Sequence, residues 1–328
     1  MNRRDVLAGL LAFGIAGRAR RVASQAAAPT KARIAFLCTS VFGERLLRGV
    51  PSVLAESGWV EGSNIAFEWR NAKGEPEGLS RLAAELTATN PHVIVAQDNV
   101  AARAAIQPTR AIPIVVFATL DPVGAGLAQS LARPGGNITG LVWGEPRLAA
   151  KIVDLLHQSV PHMRRLAVLY DPDVPGIRIY VDADKAAANA LGLEFRAYPF
   201  RNTDELVAVL QSLRNDRIGG IKAALGGHFG IDELRRVLEY SSTHRVPMVS
   251  VLQAAVQMGA LLAYYPNDPE RIRSVSRQLD KILRGSKPAE MPFEYATRFD
   301  LAVNLQTAKA LGITIPEDVL LRAALVVE

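Results

Sequence analysis

Beyond its first thirty residues the chain alternates between short apolar runs and longer amphipathic stretches. The run 32–38 is apolar and strand-like. Residues 45–56 then place Leu46, Leu47, Val50, Val53 and Leu54 on one helical face, stopped at Gly58. Residues 64–69 alternate as a strand does, and Leu79, Leu82, Ala83 and Leu86 mark the next helix. Strands follow at 92–96, 112–117 and 138–142. The spacing predicts helices over 99–106, ended before Pro108, and over 123–131. A turn cluster at 133–137 precedes the fifth strand.

The rhythm then restarts. A helix over 148–160 has Ile152, Val153, Leu155 and Leu156 as its apolar face. Strands are predicted at 165–170, 194–200, 220–225, 246–251 and 260–264. Helices are predicted at 177–191, 205–213, 231–244 and, after a short turn at 253–258, at 269–283 with Asp268 as N-cap. A last helix spans 304–311 before a short apolar tail. Strands alternating with helices imply an α/β fold with parallel sheets covered on both faces. Buried parallel strands read as continuous apolar runs, and these do. Each half opens with strand, amphipathic helix, Gly and strand, as 54–58 and 189–192 illustrate. Two Rossmann-like lobes of ordinary domain size are therefore expected.

The first residues follow a different logic. Asn2-Arg3-Arg4-Asp5 precedes an apolar run from Val6 to Ile15. A positive start followed by roughly ten apolar residues has the build of an export signal. It is shorter than the about 20 residues that span a bilayer. Residues 1–28 are therefore expected to export the chain to the periplasm, by a Sec or a twin-arginine route, with a cleavage option at Ala26-Ala27-Ala28. A frayed helix or an uncleaved anchor is the alternative. No Cys closely follows the apolar run, which speaks against a lipid anchor.

Charge and cysteine narrow the picture. The formal charge is +6, but residues 1–28 hold five Arg and one Asp, a net +4 that leaves +2 for the remainder. No basic stripe interleaved with aromatics appears, so nucleic-acid binding is not expected. The one cysteine, Cys38, rules out a disulfide within the chain and reads as a small buried hydrophobe.

Catalytic signatures are weak. Gly124-Ala125-Gly126 lacks the third glycine of a dinucleotide fingerprint. The glycines of 135–140 precede Leu141-Val142 where a phosphate loop needs Lys and Ser or Thr. There is no Gly-x-Ser-x-Gly, and the five His show no metal-ligand spacing on one helix. His157 and His162, around a helix end, read as surface residues. No enzyme, cofactor or metal is expected.

Ligands of open parallel sheets bind outside the carboxyl ends of the strands. That rule selects loops before any motif does. It picks Ser40, Phe42, Gln97, Asp98, Asn99, Thr119 and Asp121 in the first half, and Tyr170, Asp171, His228, Phe229, Ser250 and Tyr264 in the second. Short polar side chains at helix starts suit a carboxylate, and aromatics suit a flat apolar group. Each also has a plainer reading. Asp98-Asn99 and Asp121-Pro122 can cap helices, Gly226-Gly227 can be a turn, and Tyr264-Tyr265 can be packing.

Several stretches together resemble one known family. They are Leu54-Ala55-Glu56-Ser57-Gly58-Trp59-Val60-Glu61-Gly62, Asp121-Pro122-Val123-Gly124, Ala132-Arg133-Pro134-Gly135-Gly136-Asn137-Ile138-Thr139-Gly140, Lys281-Ile282-Leu283-Arg284-Gly285 and Asn304-Leu305-Gln306-Thr307-Ala308. In this order they resemble substrate-binding proteins of ABC transporters, of the type I periplasmic binding fold. The resemblance implies two lobes joined by a three-crossing hinge, with the chain crossing near Val142, near Tyr264 and back near Phe293. It implies lobes of 29–141 plus 265–292 and of 142–264 plus 293–328. It also implies a small polar solute between the lobes, an amino acid or related compound, permease subunits as partners, and a monomer. The family pattern is broken at Asn99-Val100-Ala101-Ala102-Arg103-Ala104, Ser250-Val251-Leu252 and Met258-Gly259, in or near the ligand loops. An exported enzyme or a ligand-sensing module on the same scaffold are the alternative readings.

Overall fold

The computed structural model describes residues 31–146, 148–224 and 230–328. The expected export signal, together with His228 and Phe229, lies outside the described residues.

The chain builds β1 (Ala32–Cys38), α1 (Val41–Leu47), α2 (Val50–Glu56), β2 (Ile65–Asn71), α3 (Leu79–Ala88), β3 (Val93–Asp98), α4 (Asn99–Ile106), β4 (Ile114–Thr119) and β5 (Ile138–Val142). It then crosses to a second sheet through α5 (Leu148–Ser159), β6 (Arg165–Tyr170), α6 (Ile177–Ala190), β7 (Glu194–Pro199), α7 (Thr203–Asn215) and β8 (Gly220–Ala224). That lobe continues with α8 (Ile231–His244), β9 (Met248–Ser250), α9 (Gln253–Gln257) and β10 (Leu262–Pro266). The chain returns to the first lobe for α10 (Asp268–Leu283) and β11 (Glu294–Tyr295). It crosses a last time to β12 (Phe299–Asn304), α11 (Leu305–Leu311), α12 (Glu317–Leu320) and β13 (Ala323–Val327).

The first sheet runs β11-β5-β4-β3-β1-β2 and the second β13-β12-β10-β9-β8-β6-β7. The first is parallel throughout. Apolar clusters cover both faces of each sheet, as the apolar strands require. Two α/β lobes joined by three crossings are the observed architecture.

Local details depart from the sequence reading, each for a physical cause. The predicted helix over 45–56 is two helices, because Pro51 opens α2 and a proline ring cannot continue the preceding turn. The predicted helix over 123–131 is a series of turns. Gly126 takes φ +72°, and the Leu127 and Ala128 amides both bond the Pro122 carbonyl. Two glycines in one turn weigh against a helix by about 1 kcal/mol each. The cap of α10 is Asn267, whose Oδ1 accepts from the Glu270 amide, while Asp268 becomes its first residue. His157 is half-buried rather than a surface residue.

The strand β12 was not predicted, and it runs antiparallel to β10. The reason lies in the crossings. β10 carries the chain up to the rim between the lobes, and the chain comes back over the same rim after α10. It must then run down the second sheet, against its neighbour. Tyr264 and Tyr265 belong to β10, so the second crossing follows Pro266. Glu294 and Tyr295 pair with β5, so the third follows Tyr295 rather than Phe293.

Cys38 is fully buried at the end of β1, as expected of a small core residue. Burial, with the nearby carboxylates of Glu44 and Asp98, pushes its thiol pKa up to about 12. The thiolate is the reactive form. Native protein at pH 8 is therefore expected to resist alkylation by iodoacetamide for hours, and to label fully in denaturant. Rapid labelling of the folded chain would contradict this placement.

Candidate functional site

The rim of the first lobe is a hydrogen-bond network built on strand ends. Asp98 caps α4: its Oδ1 accepts from the Val100 and Ala101 amides, each at 3.0 Å. Its Oδ2 accepts from the Thr39 hydroxyl at 2.6 Å. Gln97 Oε1 accepts from the Thr39 and Ser40 amides, and its Nε2 donates to Ser40 Oγ at 3.1 Å. Ser40 Oγ in turn accepts from the Gly43 amide and caps α1. A side chain at Gly43 would collide with Gln97 at about 2 Å. The loops after β1 and β3 are thereby locked together. Burial holds the Asp98 carboxyl above the usual range, and its hydrogen bonds from Thr39, Ala101 and Val100 oppose that shift only in part. Phe42 stands half-buried in the first turn of α1.

The second lobe touches this rim directly. Asn99 Nδ2 donates to the carbonyl of Pro175, in the loop after β6, at 2.6 Å. The Tyr180 hydroxyl of α6 lies 3.0 Å from the Leu120 carbonyl and 2.6 Å from that of Gly144. Gly176, at φ +83°, packs so closely on Asp121 that an added Cβ would sit 2.8 Å from the Asp121 amide nitrogen. Leu120 inserts beside Val174, Ile177 and Val181. The lobes are closed on one another along this seam.

Two side-chain oxygens at the seam have no partner. Asn99 is 2% exposed and Thr119 0%, yet Asn99 Oδ1 and Thr119 Oγ1 accept or donate no hydrogen bond. Buried polar atoms almost always find partners, and each one left without costs about 1–3 kcal/mol. Both residues stand at the carboxyl ends of neighbouring strands, β3 and β4.

Aromatic residues line the hinge. Trp143, in the first crossing, meets Tyr180 and Phe299 edge-on at 6.1 and 5.9 Å. Phe299, after the third crossing, stacks on Tyr264, before the second, at 5.6 Å. Each crossing thus contributes one ring to a single cluster. Sequence reasoning found Tyr264 but missed Trp143, Tyr180 and Phe299. An aromatic residue beside each change of sheet was the available signal.

The remaining candidates serve their own loops. Asp121 Oδ1 accepts from the Gly124 amide at 2.9 Å, and Asp171 Oδ1 from that of Asp173 at 2.8 Å. Ser250 Oγ accepts from the Leu252 amide at 3.2 Å. Tyr170 is half-buried against the Val174 cluster. Among the described residues no group of His, Cys, Asp and Glu could hold a metal, and no helix is long and apolar enough to cross a membrane.

Residues 44–327 match the family model of the ABC transporter substrate binding proteins. The chain belongs to that family. A curated relative, the tyrosine-binding protein of Clostridioides difficile strain R20291, is 24% identical over 273 residues, 82% of this chain and 77% of its own length. Among solved structures, the ABC domain in complex with L-Trp from Streptococcus pneumonia is similar with a TM-score of 0.84 and 24% identity, over 90% of this chain and 100% of that one. A conserved domain protein from Vibrio cholerae gives 0.84 at 25% identity, over 90% and 99%. The ligand-free, open structure of a substrate-binding protein with adhesive properties from Clostridium difficile gives 0.68 at 23% identity, over 90% and 99%. This binding protein therefore shares its fold with type I periplasmic binding proteins.

Proposed function

We propose that this protein is the extracytoplasmic receptor of an ABC importer, capturing a small polar solute between its lobes and offering the closed form to permease subunits. The observation that carries the reading is the pair of buried, unpartnered oxygens, Asn99 Oδ1 and Thr119 Oγ1, at the seam. A solute bearing both a donor and an acceptor satisfies them, and the hinge aromatics supply an apolar wall. The solute class is an amino acid, which agrees with the tryptophan and tyrosine named for two relatives. Its role is to favour the closed state by touching both lobes at once. No bond is made or broken. The chain acts in the periplasm, reached through its N-terminal signal.

Calorimetric titration of the full chain with the proteinogenic L-amino acids tests this. Stoichiometric binding without turnover is expected for at least one. Silence across the set, or conversion of a hit into product, would sink the reading. Thr119→Val gives a sharper signature. Removing an unsatisfied hydroxyl leaves the melting temperature of the solute-free protein unchanged or raises it. The same change weakens solute binding about tenfold. A variant that loses stability and keeps its affinity would show a purely structural threonine.

A further inference from the structure

A cavity of about 340 Å³ lies beside the hinge and shares no residue with the seam. Its walls come from α10, from the β5–β11 edge of the first sheet and from the chain of the second and third crossings. Its charged side chains are Glu270, Arg271, Arg277, Glu294 and Arg298.

Arg271 is the informative one. It is only 7% exposed. Its guanidinium lies 4.2 Å from the centre of the Phe117 ring, and its Nη1 donates to Asp268 at 2.9 Å. The Nε–H is buried and has no acceptor. Ring and ion pair fix the group, so it cannot turn toward water. Guanidinium forks match carboxylates, and charge-assisted bonds of this kind are the strong ones.

The cavity also holds carboxylates with acceptor capacity left. Glu270 accepts from the Thr297 hydroxyl at 2.6 Å. Glu294 accepts from the Ser274 hydroxyl at 2.6 Å and from Arg277 at 3.3 Å. An ionised carboxylate offers about four lone-pair positions. An anion alone would satisfy Arg271 but face two glutamates. A cation alone would face three arginines. A species with both signs suits the lining, and the volume matches small-molecule sites, which begin at about 300 Å³.

We propose that this cavity is a second solute site that binds a small zwitterion, its carboxylate on Arg271 and its ammonium toward Glu270 and Glu294. The occupant would bridge α10 to two of the three crossings, so its binding biases the hinge.

Amide chemical-shift mapping of the full chain tests this with glycine, acetate and methylammonium as probes. Glycine is expected to shift residues 270–277 and 294–298, with acetate and methylammonium each at least about tenfold weaker. Arg271→Gln and, independently, the milder Glu270→Gln should each weaken glycine about tenfold. Thr119→Val should leave these shifts unchanged. The assignment fails if no shift appears up to about 50 mM glycine, if shifts are confined to the seam, or if acetate binds as well as glycine. Shifts at these segments that persist when no solute binds the seam would keep this site while removing the seam reading.

Discussion

Lys222→Met is expected to destabilise the second lobe by about 3–5 kcal/mol, the usual cost of leaving one member of a buried ion pair behind. Lys222 of β8 bonds Asp184 of α6, and both are almost fully buried, at 3% and 1% exposure. Burial holds the Asp184 carboxyl above the usual carboxylate range, and the lysine opposes that rise in part. Without the lysine the carboxylate is an unpaired charge on the buried face of α6, which also carries Val181, Ala187 and Ala188. Its folded pKa then moves further above the unfolded value of about 3.9. The folded state binds the proton more tightly than the unfolded one, so stability falls as pH rises through that window. The deficit of the variant is therefore largest near neutrality and shrinks on acidification. Urea unfolding at a series of pH values reads both the size and the slope. The double replacement Lys222→Met with Asp184→Leu should recover most of the loss, because neither charge remains. A single variant within about 1 kcal/mol of the parent at pH 7 would show that the pair carries little.

Gly176→Ala is expected to weaken solute binding by about 30- to 100-fold, or 2–3 kcal/mol. Gly176 opens α6 at φ +83° and packs on the backbone of Asp121 across the seam. A Cβ there has two separate effects. The left-handed backbone costs about 1–2 kcal/mol in the open and closed states alike, which lowers stability but not affinity. The 2.8 Å approach to Asp121 exists only when the lobes are together, so it opposes closure alone. Gly192→Ala separates the two. Gly192 sits at φ +70° just after the same helix, and nothing lies within 4 Å of its added Cβ. That control should lose stability and keep full affinity. Small-angle scattering with solute present should show the Gly176 variant open and the control closed. Equal affinities for both variants would mean that closure does not press Gly176 against Asp121.

The sequence made the lobes legible because the information is local. Apolar runs such as 32–38 and 165–170, separated by amphipathic stretches, can only be buried strands between helices. The carboxyl-end rule then pointed to Asn99 and Thr119, which stand at the carboxyl ends of β3 and β4 and whose buried side-chain oxygens lack partners. It could not tell them from Asp121, Asp171 or Ser250, whose loops have the same composition. Those three bond amides two or three residues away, and whether a polar side chain is used locally depends on backbone geometry that composition does not encode.

By itself, then, the chain's pattern determined two α/β lobes, the faces their helices bury and the rims where a solute could lie. Tertiary structure alone decided where the chain crosses, and hence that β12 runs against β10 and that Glu294–Tyr295 belongs to the first sheet. It alone joined Trp143, Tyr264 and Phe299 at the hinge and Asn99 to Pro175 across the seam. Periodicity reports which side of an element avoids water. Partners 76 residues apart, as Asn99 and Pro175 are, meet only when separate sheets close together, and no local pattern carries that.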